Sequence, residues 1–171
     1  MNRSSFFIFS TIATFALTGM LTGAVAQQKS LKEQLVGSWT PVSQEATAPN
    51  GTKEQPFGAN PKGVLILDAS GRYSWALGRP DRPKFKATGD FRTQGTTEEL
   101  ASAVRGFAAN YGTWSVNEAD KTLIRKYEAA LVPNAEGSET KVTVSFTGDD
   151  LRLTGVDGAG QKIEAMYRRA K

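Results

Sequence analysis

Large apolar residues alternate with small or polar ones along most of this chain. The clearest case is a pair of extended segments, 64–67 and 73–77, that flank the short polar sequence Asp-Ala-Ser-Gly. In the second segment Tyr73, Trp75 and Leu77 alternate with small or charged residues, so one of its faces is large and apolar. Because small polar residues and glycine favour tight loops, this stretch predicts a β-hairpin with one buried face.

The same alternation continues to the end of the chain. Further extended segments follow over residues 111–117, 122–132, 139–147, 150–156 and 161–169, and the gaps between them are short. Short gaps predict antiparallel hairpins. With a first strand over residues 35–46 and the two strands of the hairpin, the pattern gives about eight strands, the number at which a sheet can close around one small ligand. The predicted fold is all-β: an eight-stranded, or slightly larger, antiparallel β-barrel.

The spacing of apolar residues predicts helices in two places. Residues 31–35 form a short lead-in, and residues 96–110 form the one longer helix, with Thr96 or Thr97 as its cap and Glu98 and Glu99 in its first turn. Its apolar face recurs at helical spacing and predicts that the helix packs outside the barrel or closes one end. Alternatively, the helix is a lid, with Phe107 and Tyr111 touching a ligand.

The first 26 residues have the features of a secretory signal peptide. Arg3 provides the positive start, residues 6–21 are mostly apolar, and Ala24-Val25-Ala26 has the small-x-small form of a cleavage site. We expect cleavage after Ala26, a mature domain over residues 27–171, and a periplasmic or secreted protein without stable membrane insertion. The alternative is a membrane anchor, but the run is shorter than about 20 continuous apolar residues and contains several hydroxyls.

Composition narrows the possible chemistry. A chain of 171 residues with 39% hydrophobic residues suits one domain with a substantial core. Its excess of 21 − 17 = 4 positive charges is dispersed, which argues against a nucleic-acid surface. Cysteine and histidine are both absent, which excludes disulfides, thiol nucleophiles, Ser-His-Asp triads and metal sites built on these ligands. We therefore expect neither a cofactor nor a metal.

A barrel with this pattern would direct its larger side chains inward. On the segment 122–132 these are Leu123, Tyr127 and Leu131, and Arg125 shares their face. A buried cation must be paired or must await an anionic ligand group, such as a carboxylate or a phenol. The residues that we predict to contact a ligand are Trp39, Tyr73, Trp75, Leu77, Phe107, Tyr111, Arg125 and Tyr127. The alternative is that the aromatic side chains simply fill the interior.

The first and last strands carry a further possible contact. Trp39 follows Gly37, whose lack of a side chain would let another backbone approach while the indole plugs the barrel end. Arg168 or Arg169 on the last strand could stack on Trp39 in a cation–π pair.

Taken together, the order and spacing of several short motifs resemble the bacterial and fungal lipocalin-like domain family. The matching motifs are Leu35-Val36-Gly37-Ser38-Trp39, Pro56-Phe57-Gly58, Pro61-Lys62-Gly63, the turn at residues 68–71, Arg79-Pro80-Asp81-Arg82-Pro83, Thr97-Glu98-Glu99, Tyr111-Gly112-Thr113, Glu128, Pro133-Asn134 and Asp149-Asp150-Leu151. The resemblance spans residues 31 to 170. It implies a lipocalin-like barrel with an internal cavity, in a family of poorly defined activity.

Three functions are compatible with these observations. The first is binding of a small hydrophobic molecule inside the barrel. The second is a barrel enzyme of the isomerase or cyclase type, with Glu128 and Tyr127, or Asp68 near the turn, as acid and base, although Tyr127 and Glu128 are adjacent strand residues and point to opposite faces. The third is an envelope interaction module without a ligand. The identity of the ligand, any pathway and the oligomeric state are left open by the sequence.

Overall fold

A computed structural model of the chain describes residues 29–86 and 88–171. The predicted signal peptide and its cleavage site lie outside the described residues. The helices are α1 (Leu31–Leu35), α2 (Phe91–Gln94) and α3 (Thr97–Arg105), with a 3₁₀ turn at Pro133–Ala135. The strands are β1 (Gly37–Thr47), β2 (Lys53–Glu54), β3 (Lys62–Leu67), β4 (Arg72–Gly78), β5 (Phe107–Asn117), β6 (Thr122–Ala130), β7 (Glu139–Thr147), β8 (Asp150–Val156) and β9 (Lys162–Arg169). None of the described helices has the length and apolar content needed to span a membrane.

Eight of the strands form a closed antiparallel barrel. Neighbours in the sheet follow the order β1-β3-β4-β5-β6-β7-β8-β9, and β1 pairs again with β9 to close it. The closing register places Trp39 opposite Arg169 and Ala46 opposite Ile163. The short strand β2 pairs with the end of β1 as an additional strand. The predicted fold class, an eight-stranded or slightly larger antiparallel barrel, is confirmed.

The interior is built by the period-2 alternation that the sequence predicts. Tyr73 and Leu77 are buried and Trp75 is half-buried, whereas Arg72 before them and Ser74 between Tyr73 and Trp75 are exposed. At one end of the barrel α1 buries Leu31 and Leu35 against the core. The core cluster also includes Trp39, Leu65, Leu67, Trp114, Leu123, Val144, Leu151, Leu153, Ala165 and Tyr167. The members of this cluster around α1, among them Trp39, Val144 and Leu151, therefore fill this end of the barrel with side chains.

A bulge in β6 changes the direction of the residues that follow it. Tyr111 pairs with Ala129 and Gly112 pairs with Tyr127, so Glu128 is an extra residue on β6. The alternation therefore shifts by one residue beyond Glu128. As a result Leu131, which we predicted to face inward, is 40% exposed.

The predicted long helix is shorter than expected. Thr96 caps α3 in a capping box with Glu99, as predicted, but the helix ends at Arg105, and β5 begins at Phe107. The expectation of a helix through residue 110 was wrong because residues 107–113 pair with β4. Pairing with a neighbouring strand outweighs helical spacing over so few residues. Phe107 therefore belongs to the barrel wall and is not part of a helical lid.

Candidate functional site

A cavity lies inside the barrel at the end away from α1. Its volume is about 230 Å³. It is lined mainly by aromatic and aliphatic side chains, with a few polar groups among them. The lining residues are Gln44, Trp75, Arg125, Tyr127, Thr140, Lys141, Val142, Leu153, Gly155, Val156, Asp157, Ile163, Ala165 and Tyr167.

Hydrogen bonds fix the aromatic residues in and beside this cavity. The indole N–H of Trp75 donates to the hydroxyl of Tyr167 over 2.9 Å, across the barrel from β4 to β9. The hydroxyl of Tyr73 donates to Oδ1 of the buried Asn110 over 2.9 Å. Tyr73 also lies against Tyr127, with ring centroids 6.3 Å apart. Because buried polar groups are costly to leave unpaired, these bonds hold the rings in place and keep the cavity wall ordered.

Phe57 covers part of this end of the barrel. It lies in the loop between β2 and β3, it is only 8% exposed, and its ring meets that of Trp75 edge to face with centroids 6.4 Å apart. Edge-to-face contacts of this kind stabilise aromatic pairs by about 0.5–1.5 kcal/mol beyond their burial. The loop is thereby attached to one of the residues that line the cavity.

Arg125 introduces a positive charge into these surroundings. Its guanidinium carbon lies 5.7 Å from the ring centroid of Tyr73 and 5.9 Å from that of Trp75, within the range of cation–π attraction. Its Nε atom is buried and has no hydrogen-bond partner. Arg125 is half-buried, and the aromatic faces offset part of the cost of partly burying its charge, but one buried donor stays unsatisfied.

Two tyrosine hydroxyls respond to this environment. Burial raises the pKa of Tyr73 and of Tyr167 because the phenolate form is disfavoured where water is excluded. The charge of Arg125 acts in the opposite direction at both hydroxyls but is the weaker effect. Both tyrosines are therefore neutral hydrogen-bonding groups at physiological pH.

Comparison with known proteins places the fold in a family. The sequence profile described as lipocalin-like domain matches residues 36–166. The chain belongs to this family. No curated protein sequence matches it. A redesigned beta barrel matches with a TM-score of 0.43 and 11% identity, covering 84% of this chain and 98% of the other. A mutant of the fluorescent protein UnaG matches with a TM-score of 0.36 and 15% identity, covering 81% of this chain and 97% of the other.

The lipocalin-like barrel brings together three of the eight residues that we predicted to contact a ligand. Trp75, Arg125 and Tyr127 line the cavity. Tyr73 lies directly behind them, in contact with Arg125 and Tyr127. These four side chains form one cluster of rings around a guanidinium.

The other four predicted residues lie elsewhere. Trp39 is buried at the filled end, where its ring lies 6.0 Å from that of Phe146, and Leu77 is fully buried in the wall. Phe107 and Tyr111 share the outer register of β5: the ring of Phe107 lies over Gly78 and beneath Arg82, and Tyr111 is 48% exposed. The lid hypothesis for Phe107 and Tyr111 therefore has no support from their positions.

Several cavity residues were not predicted. Thr140 lies opposite Arg125 in the register of β6 with β7. Tyr167, on β9, lies opposite Leu151 of β8. Both follow the inward alternation of their own strands, from Val142 back to Thr140 and from Ala165 on to Tyr167. Extending that alternation to the strand ends would have found both residues. Sequence alone gives no register, however, and so could not pair Thr140 with Arg125.

The acid and base considered for an enzyme do not meet in the lipocalin-like barrel. Glu128 is exposed and forms an ion pair with Arg72 on the outer face, whereas Tyr127 lines the cavity. Asp157 is the one acid among the described lining residues. In residues 29–86 and 88–171, no three His, Cys, Asp or Glu side chains cluster as metal ligands would. The described groups provide a mainly apolar binding surface with two cations, Arg125 and Lys141, and one acid.

A second depression, of about 560 Å³, lies at the filled end of the barrel. About half of its lining surface is polar, and it comes from Lys29, Ser30, Gln34, Glu118, Lys121 and Ser145. Glu118 already accepts hydrogen bonds from the backbone N–H groups of Leu31 and Lys32 at the start of α1. This depression lies where Glu118 attaches α1, and the more apolar cavity inside the barrel is the better candidate for a ligand site.

Proposed function

We propose that this protein is exported and that its barrel binds one small, largely apolar molecule in the cavity between Trp75, Tyr127 and Tyr167. The observation that carries the proposal is the cavity of about 230 Å³ with mainly apolar walls, inside a barrel whose other end is filled. Ligand sites are typically concave, mostly apolar and supplied with a few polar groups that fix orientation.

The volume limits the size of the ligand. About 230 Å³ corresponds to the liquid volume of about eight water molecules. This is slightly below the usual range of pockets for drug-sized molecules, which starts at about 300 Å³. A compact molecule of about one or two rings, or a short chain, suits the cavity better than a long lipid does.

A cavity-filling variant tests the proposal. Ala165 is 5% exposed and lines the cavity, so Ala165→Leu would occupy part of the space. Ala129→Leu is the matched control because Ala129 pairs with the exposed Tyr111 and lies on the outer face. Protein purified from its export compartment would be examined by native mass spectrometry. We expect a bound small molecule in the native protein and in Ala129→Leu, and its loss in Ala165→Leu.

Two outcomes would contradict binding in the cavity. One is that the native protein carries no small molecule and takes none up from an extract of its own cells. The other is that Ala165→Leu retains the bound molecule as well as Ala129→Leu does. The first outcome would favour an interaction module that needs no ligand.

Export is tested separately. Residues 1–26 provide the positive start, apolar run and small-x-small sequence that a signal peptidase recognises. The mass of the exported protein should correspond to a chain that begins at Gln27. Ala24→Gln should slow this cleavage, whereas Gln28→Ala, beyond the site, should not. Full-length protein retained in the cytoplasm of its own cells would contradict export.

A further inference from the structure

Arg125 has no acidic partner within the described part of the chain. The ion pairs between described residues join Lys53 to Glu45, Arg72 to Glu128, Arg79 to Asp81, Arg92 to Asp90, Lys141 to Glu139, Arg152 to Glu164 and Arg168 to Asp150. None of them includes Arg125. Its buried Nε atom also lacks a hydrogen bond. The guanidinium thus retains unused capacity to bind an anion.

A second unsatisfied group lies beside it. Thr140 is the cross-strand partner of Arg125, and both residues line the cavity. The hydroxyl oxygen of Thr140 and the Nε of Arg125 are the two buried side-chain polar atoms without a partner in residues 29–86 and 88–171. Directly opposed residues on antiparallel strands have Cβ atoms about 4.5–5.5 Å apart, so the two side chains lie within the span of one carboxylate group. The N–H of Arg125 and the O–H of Thr140 are therefore two hydrogen-bond donors, on neighbouring strands, that a ligand group could satisfy together.

Neither of the other charged residues in the cavity lining, Asp157 and Lys141, forms an ion pair with Arg125. Asp157 accepts hydrogen bonds through Oδ1 from the backbone N–H groups of Ala159 and Gln161, which fix it in the turn between β8 and β9. The exposed Lys141 is 3.3 Å from Glu139. Arg125 is therefore the one cation of the described cavity lining that has no acidic partner within 4.0 Å.

We infer that the ligand of this barrel carries a single carboxylate, which accepts hydrogen bonds from the guanidinium of Arg125 and the hydroxyl of Thr140 while the rest of the molecule packs on Trp75, Tyr127 and Tyr167. The inference rests on the proposed function, because it assumes that the cavity is occupied. A carboxylate fits because its two oxygens match the fork of a guanidinium. A doubly charged phosphate would leave a surplus negative charge in an apolar site.

Matched acids and amides test this inference. The probes are benzoate with benzamide, naphthoate with naphthamide, and octanoate with octanamide, because each pair shares one shape and differs in charge. Binding to the mature protein would be measured by calorimetry at neutral pH. In at least one pair we expect the acid to bind about tenfold or more tightly than the amide, as hydrogen bonds to charged groups imply.

Two variants test which residues cause the preference for the acid over the amide. Arg125→Met should remove it, leaving the acid no tighter than the amide, while amide binding stays within about threefold of its original value because the walls are intact. Thr140→Val keeps the shape of the side chain and should reduce only the preference for the acid. Arg152→Met, which changes an exposed arginine of β8, is the matched control and should leave both affinities unchanged.

The outcomes separate this inference from the proposed function. If amides bind as tightly as acids in the native protein, the carboxylate inference is wrong and the apolar site stands. If the preference for the acid survives in Arg125→Met, its assignment to Arg125 is wrong. If no member of any pair binds although native mass spectrometry shows a bound small molecule, the carboxylate inference is wrong and the proposed function stands. If neither experiment shows binding, both fail.

Discussion

The guanidinium of Arg169 lies over the indole of Trp39, 4.2 Å from the ring centroid. The same group donates hydrogen bonds to the carbonyl oxygens of Gln34, in α1, and of Val36, the first residue after α1. The indole N–H of Trp39 donates in turn to the carbonyl of Leu35 over 2.9 Å. The first strand, the last strand and the end of α1 therefore meet at one cation–π pair, which closes the filled end of the barrel.

Arg169→Met should destabilise the protein by about 2–3 kcal/mol, because it removes the cation–π contact and the bonds to two carbonyls together. The free energy of unfolding would be measured in urea. Arg168→Met is the control, since the neighbouring arginine is exposed and pairs with Asp150 on the outer face, where an ion pair contributes less than about 1 kcal/mol. Equal effects of the two changes would contradict a closing role for Arg169.

The Trp39–Arg169 contact was predictable from residue types alone. A large indole on the first strand and two arginines on the last can meet once the barrel closes, and Arg169 forms the contact while Arg168 faces outward.

The role of Gly37 was predicted less accurately. We expected another backbone to approach it, whereas the neighbour is the Arg169 side chain: a Cβ atom on Gly37 would lie 2.9 Å from Nη1.

Gly37→Ala should cost about 1–3 kcal/mol of stability. Gly37 has a φ of 138°, which side chains rarely adopt, and the added methyl group would also displace Arg169 from its position. Urea unfolding measures the effect. Gly158→Ala is the control because that position has no neighbour within 4 Å, so we expect a change within about 0.5 kcal/mol there. If Gly37→Ala were as stable as Gly158→Ala, the positive φ of Gly37 and its close approach to Arg169 would not contribute to the free energy of unfolding.

The errors in the sequence predictions have identifiable physical causes. Period-2 alternation correctly placed Tyr73, Trp75, Arg125 and Tyr127 inside, but it carries no sign of a bulge. The extra residue Glu128 therefore reversed the expected direction of everything after it on β6. The start of β5 was missed because the helical spacing before Gly106 continues by chance into a stretch that pairs with β4. The partnership of Arg125 with Thr140 depends on strand register, which hydrophobic patterning does not determine.

Stability should fall at alkaline pH because of Tyr73 and Tyr167. Burial raises the pKa of both hydroxyls in the folded protein, so it retains protons that the unfolded chain releases near pH 10, a value that is about the ordinary pKa of tyrosine. The stabilisation is fully present below about pH 10 and is lost as the pH rises through the folded-state pKa values. We expect the free energy of unfolding to decrease by up to about 1.4 kcal/mol per pH unit for each tyrosine.

Phenylalanine variants separate these tyrosines from the other groups that titrate in the same range. Tyr73→Phe and Tyr167→Phe each lose a hydrogen bond, to Asn110 and from Trp75 respectively, and so start from a lower stability. Their dependence on pH is the informative quantity. Each should show a shallower decline above about pH 10 than the native protein, and the double variant the shallowest. A double variant with the native slope would show that other groups control the alkaline transition.

Arg125→Met should leave the ligand-free protein equally stable or stabilise it by up to about 2 kcal/mol, unlike most substitutions of inward-facing residues. The methionine side chain fills similar space, removes the buried Nε that has no partner, and retains favourable contacts with the rings of Tyr73 and Trp75.

Arg152→Met provides the comparison for the same chemical change on the outer face, where we expect a change within about 0.5 kcal/mol. Urea unfolding of ligand-free protein measures both. A loss of more than about 2 kcal/mol in Arg125→Met would mean that the guanidinium supports the fold itself. No net loss would mean instead that the apolar wall is sufficient for stability, and that the charge is available to a ligand.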